Sequence, residues 1–518
     1  MGTLSVDTAT PEHRSVHANM RYLTLVVLAC VLAAGAFMRF YALDAQSLWN
    51  DELSTWEQSH YESLSEVIEY GVRPHPYPPG FQILIYYVEQ FVGQSEIILR
   101  LPSAIAGVLT IIAMYFLARR IYSHREAVIA ATLTAFSYQP IYYSQEARAY
   151  SFLLLLAVLT AHAWFRLRDE LESHALSKGT VAAYVATAVA AIYTHHFGLL
   201  LIGFQLCGLL FLFLNQRWAA QRVVAIGAGI GLAYLPWLAY LIEDFDDQPL
   251  YLPSPGLHSI TGYWRFLFFD TSGYLAWFTL TICAAAIAKS VASKSRPGPP
   301  RGSWKAALRS QTVLVAAWLV IPYAMAFVRS ITAAPILNNR NMLICLPAAF
   351  LLLSRAITVV IPQVRPQALV TAGIAVILIY GPFVKGGYYE HPRKEQFREA
   401  AAAVVANPTP IESTHIIAYA WSKLSFDYYL ERAGSPLRVE LIAGVEDDIE
   451  RTRQFLQEKR PEHLWFLVGH RQPDRGYIQF LDRELEFVGH VPLLGAFARQ
   501  YRLRHTAEVG SATRLNGL

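Results

Sequence analysis

Charge is scarce in this chain. Charged residues occupy 16% of its 518 positions against 54% hydrophobic, and mean hydropathy is +0.30. A soluble globular domain carries roughly 25% charged residues, so this sequence lacks the charge to cover a large wet surface. Cysteine is nearly absent. Cys30, Cys207, Cys283 and Cys345 each lie inside an apolar run and none sits in a Cys-x-x-Cys pair, which argues against a disulfide framework and a zinc site. No block combines high charge with low hydrophobicity, so disorder is not the dominant state. The formal net charge of +4 is small and scattered, which speaks against a nucleic-acid partner. Internal repeats and inverted halves are missing too.

What is present is a series of apolar runs from Tyr22 to Lys385, each about 17 to 25 residues and long enough to span a bilayer. The first follows a polar start with Arg14 and Arg21. It has no small-residue cleavage site, so it is expected to be a retained anchor. Basic connections mark the cytoplasmic side. The segment from Lys289 to Arg309 carries Lys294, Arg296, Arg301 and Lys305 and no acid; Arg119–Arg120–Arg125, Arg166–Arg168–Lys178, Arg217–Arg222 and Arg355–Arg365 are others. The opposite connections are acidic. Residues 44–75 hold Asp44, Asp51, Glu52, Glu57, Glu62, Glu66 and Glu69 against Arg73, and residues 243–255 hold Glu243, Asp244, Asp246 and Asp247 without a base.

This pattern predicts spans near 22–43, 100–118, 127–143, 147–167, 180–195, 197–214, 222–242, 273–288, 311–329, 340–358 and 367–385, with the N-terminus inside and the tail outside. The stretch 79–92 is about 14 residues, roughly 21 Å as a helix, and falls short of the hydrocarbon core of about 30 Å. It is expected to lie in the outer leaflet. The fold class is thus a polytopic α-helical membrane protein of about 11 crossings with a small C-terminal α/β extracytoplasmic domain. Its expected parts are a cytoplasmic segment 1–21, a membrane domain 22–385 with a catalytic outer loop 44–80, and a soluble domain 386–518. In that tail, 394–407 and 446–459 read as amphipathic helices, and HIIAYA, LRVELIAG, HLWFLVG and LEFVGHV as strands. The tail has neither G-x-G-x-x-G nor a phosphate loop. Residues 296–302, RPGPPRG, read as a flexible connection.

Polar groups at membrane depth are costly, so where they gather is informative. Five clusters fall on the outer face: Trp49-Asn50-Asp51-Glu52 after the first span; His75 before the turn Pro76-Tyr77-Pro78-Pro79; Arg100 in SEIILRLPSA; Glu146 and Arg148 in YYSQEARAYS; and His195–His196 in a tight helical hairpin.

In this order and spacing the motifs resemble the GT-C superfamily of polyprenyl-phosphate-sugar glycosyltransferases, in particular the protein-mannosyltransferase and lipid A aminoarabinose-transferase group. The likeness covers residues 20–215 and extends weakly to Asn338–Asn339–Arg340. One departure is the Tyr77 that interrupts the more usual His-Pro-Pro. The resemblance implies a membrane glycosyltransferase taking a polyprenyl-phosphate-linked sugar donor and a glycan, lipid or protein acceptor at the outer face of the inner membrane. It favours Asp51 as general base, with Glu52 beside it. Neighbouring residues of a helix point about 100° apart, so only one serves a given reacting atom. His75, Arg100, Glu146, Arg148, His195 and Arg340 are the candidate substrate-binding residues. No cofactor is expected, with a divalent cation left open because some enzymes of this fold use one.

The chemistry agrees with the likeness. A sugar on a lipid phosphate already carries a good leaving group, so one carboxylate suffices to deprotonate the acceptor, whereas glycoside hydrolysis calls for two. Attack opposite the phosphate inverts the anomeric centre. The departing phosphate needs positive charge, which Arg100, Arg148 and Arg340 could supply. Competing readings are a polymerase or ligase of lipid-linked oligosaccharides, a transporter or flippase, and a non-catalytic receptor. A transporter would call for repeated halves and mid-membrane breaks.

Overall fold

The computed structural model describes residues 11–75, 77–243, 252–268, 274–294, 309–407, 409–443 and 448–504. The acidic residues Asp244, Asp246 and Asp247, the basic residues Arg296, Arg301 and Lys305, and the Pro/Gly-rich 296–302 connection lie outside them. The chain divides into two compact units: Met1–Leu43 with Gln58–Gly387, and Asp44–Glu57 with Tyr388–Leu518.

The first unit is helical. Among the described residues, six helices are long and apolar enough to cross a membrane: Glu96–Ile121, Tyr150–Glu172, Arg217–Glu243, Gln311–Thr332, Asn341–Val360 and Val364–Lys385. Thr24–Phe40, Phe197–Phe213 and Trp277–Lys289 are shorter apolar helices. The expected outer-leaflet segment forms a helix of 13 residues, Gly80–Val92. A further helix, Leu257–Phe268, falls where no element was expected.

The expected single span 127–143 is broken. His124–Phe136 ends at Ser137, whose extended backbone (φ −70°, ψ 140°) redirects the chain into the short helix Tyr138–Ser144. A helix end leaves carbonyls without partners. Arg39, fully buried at the end of Pro11–Phe40, supplies donors: its Nη2 donates to the Thr134 carbonyl (2.9 Å) and its Nη1 to those of Ala135 (3.0 Å) and Gly35 (2.8 Å). Arg39 therefore clasps two helix ends together.

The second unit holds a five-stranded sheet of order β2-β1-β3-β5-β4, with β1 Thr414–Tyr419, β2 Val439–Ala443, β3 His463–Gly469, β4 Leu485–Leu493 and β5 Ala496–Leu503. β1 pairs parallel with β2 and β3, while β5 runs antiparallel to both β3 and β4. Crossovers through the helices Leu424–Arg432 and Asp448–Lys459 lead from β1 to β2 on one side and back to β3 on the other. One sheet face packs Ile417, Leu464, Phe466 and Val468 against Leu456, Tyr477 and Phe480. The four expected strands are present. β5, reached through Gly495 at φ 62°, was not foreseen, nor were the helices Leu424–Arg432 and Arg475–Glu484.

Candidate active site

A cavity of about 330 Å³ opens in the helical unit, with Arg148, Arg340, His195, Gln82 and Tyr77 in its wall and no carboxylate among its lining residues. Each side chain arrives from a chain break that the sequence enforces. Arg148 sits in the turn between Tyr138–Ser144 and Tyr150–Glu172, where its carbonyl accepts a hydrogen bond from the Ser103 hydroxyl at 3.2 Å. Arg340 precedes the short 3₁₀ turn Asn341–Cys345; its backbone N–H donates to the Asn338 side-chain oxygen (3.2 Å), and its guanidinium lies 5.6 Å from the Tyr150 ring centre. Cation–π contact of this kind orients a guanidinium without consuming its donors. The His195 ring stands 5.7 Å from the same tyrosine ring. Close packing at Gly80 brings Gly80–Val92 against this wall: a Cβ at Gly80 would come 2.6 Å from the Tyr193 carbonyl oxygen.

His195 occupies the turn between Lys178–Thr194 and Phe197–Phe213, outside both helices, and its Nδ1 accepts from the Phe197 backbone N–H at 3.2 Å. That bond leaves the proton on Nε2 of the neutral ring. Burial, reinforced by His196, Arg148 and Arg340, pushes its pKa down to about 3. The sign follows directly. Below about pH 6.5 the unfolded chain binds a proton at this histidine that the folded chain refuses, so stability falls as pH drops through that value. His195→Gln should flatten the decline in melting temperature between pH 7.5 and 5.5; an unchanged slope would assign the effect to other groups.

Other expected members stand elsewhere. His75 is exposed and absent from the cavity lining, where Tyr77 and Pro78 take its place. The tyrosine that interrupts the motif is thus the residue that reaches the wall. Glu146 shares the Arg148 turn but is fully buried and does not line the cavity. Arg100, 2% exposed, does not line it either: its Nη1 donates to the Leu43 carbonyl at 2.5 Å. Leu43 follows Ala42, whose φ of 56° is strained for a residue with a Cβ, and the Gln145 amide donates to the Tyr41 carbonyl at 2.8 Å. Arg100, expected as a phosphate ligand, thus holds a backbone carbonyl at the end of the first helix. Arg100→Lys should lower the melting temperature by several degrees, with donor affinity staying within about twofold; a tenfold loss of donor affinity would restore it to the binding wall.

Asp51 and Glu52 lie in the first turn of Asn50–Ser59, within the segment that belongs to the second unit. Their fates differ, as adjacent helical positions require. Glu52 is 0% exposed; its Oε2 accepts from the Trp49 backbone N–H (3.4 Å), half of a capping box, and pairs with the Lys394 ammonium at 3.1 Å. Asp51 is half-buried, with its backbone carbonyl accepting from the Thr55 hydroxyl at 3.2 Å. Glu52 thus contributes to the start of its own helix through the Trp49 contact and the Lys394 pair. Lys394 and Gln82 escaped the sequence reading. Gln82 had a signal, an amide near the start of an apolar run, and Lys394 had none.

Among the described residues no three His, Cys, Asp or Glu side chains come together as a metal site, and no step is assigned to a metal. Asp244-Phe245-Asp246, an Asp-x-Asp tripeptide, lies outside the described residues.

The helical membrane unit with its arginine-walled cavity has the GT-C fold that the motifs resemble. Residues 75–240 match the sequence model of a family described as dolichyl-phosphate-mannose-protein mannosyltransferase. Among solved structures, ArnT from Cupriavidus metallidurans bound to undecaprenyl phosphate matches over 91% of this chain and 97% of its own, at 13% identity and TM-score 0.53. The Archaeoglobus fulgidus oligosaccharyltransferase in complex with Zn and sulfate matches over 91% and 72%, at 14% identity and TM-score 0.52. The oligosaccharyltransferase AglB from the same organism, in complex with an inhibitory peptide and a dolichol-phosphate, matches over 95% and 75%, at 14% identity and TM-score 0.50. At such identities the likeness is one of fold. No curated protein sequence matches the chain significantly.

Proposed function

We propose that this protein is an inverting membrane glycosyltransferase that moves a sugar from a polyprenyl-phosphate donor to an acceptor hydroxyl at the outer face. The observation that carries this reading is the cavity with two arginines and, among the described residues, no acid in its wall, which suits a phosphate. Its volume falls within the roughly 300–1,000 Å³ of ligand sites. A larger apolar groove of about 740 Å³, lined by Trp264, Trp277, Tyr323 and Phe327, offers the lipid chain a surface of its own chemistry. Tyr263, also in that groove, donates to the Met342 carbonyl at 3.0 Å, two residues from Arg340.

In this scheme Asp51 takes the acceptor proton as the acceptor oxygen bonds to the anomeric carbon. The bond from that carbon to the phosphate oxygen breaks, and Arg148 and Arg340 stabilise the charge that leaves with polyprenyl phosphate. Support for Asp51 comes from its own unit: it is half-buried in the first turn of Asn50–Ser59, beside a glutamate that is fully buried and paired with Lys394. The test is transfer of a labelled sugar from a synthetic polyprenyl phosphate by the purified full chain, with release of unglycosylated lipid phosphate. Lipid movement across vesicles without transfer would identify a flippase instead.

The orientation proposed from charge is checked by cysteine labelling. A cysteine at Asp246 or Glu446 should react with an impermeant thiol reagent from outside, and one at Ser295 should not; all three positions lie outside the described residues. External labelling at Ser295 would reverse the assignment.

A further inference from the structure

We propose that Lys394 and Glu395 are positioning residues for Asp51, clamping the first turn of the helix that carries it. The proposal rests on Asp51 being the general base, and every contact it uses lies within the second unit. Lys394 is buried with its ammonium 3.1 Å from Glu52 Oε2, and the two side chains are 3% and 0% exposed. The Glu395 Oε2 accepts from the Asn50 backbone N–H at 2.9 Å, a donor that the helix start would otherwise leave without a partner. Its Oε1 meets His470 Nδ1 at 2.6 Å, just past the end of β3, and its backbone carbonyl accepts from the Ser47 hydroxyl at 2.5 Å. The backbone N–H groups of Arg393 and Lys394 both donate to the Gln46 side-chain oxygen, at 2.8 and 3.1 Å. The clamp is itself held by the sheet: Gln396 exchanges two hydrogen bonds with the Leu494 backbone, at 3.0 and 2.8 Å, in the turn between β4 and β5.

A buried ion pair is a poor way to gain stability, because desolvation offsets most of the attraction. What it does well is fix direction. Glu52 can reach Lys394 in one rotation of its helix only, and Asp51, about 100° further round, is thereby aimed as well. Glu395 sets the axial position by holding the first N–H. A general base displaced by about 1 Å can lose roughly 10²-fold in rate, so a clamp that acts on the helix carrying the base is expected to govern turnover rather than donor binding.

The test uses the purified full chain, a labelled polyprenyl-phosphate sugar and its non-transferable phosphonate analogue. Glu395→Gln keeps the shape and removes the charge. The paired Glu52→Gln/Lys394→Met variant removes both buried charges together and avoids the unpaired carboxylate that would endanger folding. Each is expected to lower kcat at least tenfold, with analogue affinity within about twofold of wild type and a single cooperative melt retained. If kcat stays within twofold in both, or falls only in step with analogue affinity and melting temperature, the positioning role is overturned. Asp51→Asn separates the two layers: full activity there sinks the base assignment itself, whereas an inactive Asp51→Asn beside normal clamp variants removes the clamp alone.

Discussion

Asp51→Asn is expected to abolish sugar transfer while expression, membrane insertion and donor binding remain. The substitution keeps the size of the side chain and removes its capacity to take a proton. Loss of a general base costs roughly 10²–10⁴ in rate, and the adjacent carboxylate, Glu52, is fully buried and paired with Lys394. Turnover of labelled donor is the measurement. Activity above about a tenth of wild type would remove Asp51 from the role. Glu52→Gln alone should instead lower thermal stability, because it removes one member of a buried ion pair, a change that commonly costs about 3–5 kcal/mol.

Donor phosphate recognition carries the second large effect. Arg148 and Arg340 supply the guanidinium groups among the residues lining the cavity. Lysine keeps the charge but loses the planar fork that can grip two phosphate oxygens. Arg340→Lys and Arg148→Lys are each expected to weaken binding of the phosphonate analogue about tenfold, or about 1.4 kcal/mol. The double variant is expected to fall further, though not additively, since both sites share one ligand. Arg340 should show the larger kcat effect, because its guanidinium is braced over Tyr150 and cannot be mimicked by a flexible ammonium. If both lysine variants bound the analogue as wild type does, the phosphate would have to be held elsewhere.

The two effects divide as the chemistry does. A base acts on the acceptor, so its loss lowers kcat; phosphate ligands act on the donor before and during departure, so their loss raises KM and lowers kcat together. Competition by free polyprenyl phosphate should weaken in the arginine variants and remain intact in Asp51→Asn.

The long apolar runs, the short Gly80–Val92 helix and the four expected strands were legible because hydrophobic length and alternation are local properties of a sequence. The clusters holding Asp51, Arg148 and His195 stood out as candidates for a related reason: in an apolar chain every charged group needs an explanation. The break at Ser137 left no comparable trace, since the sequence 127–143 is apolar throughout its first part and aromatic thereafter. Nor did β5, whose alternation is diluted by arginines.

By itself, the sequence determined a helical membrane protein with an α/β tail and clusters of acids, arginines and histidines between its apolar runs. Tertiary structure decided which contacts each of these like residues makes. Arg100 and Arg148 are chemically identical, yet one donates to the Leu43 carbonyl and the other lines the cavity. Asp51 and Glu52 are neighbours, yet Glu52 is captured by a lysine 342 residues further along. The physical reason is that these partners are backbone carbonyls, backbone N–H groups and distant side chains. Every residue but proline offers the first two, and only folding brings the third into contact, 3.1 Å for Glu52 and Lys394, so pattern alone carries no record of them.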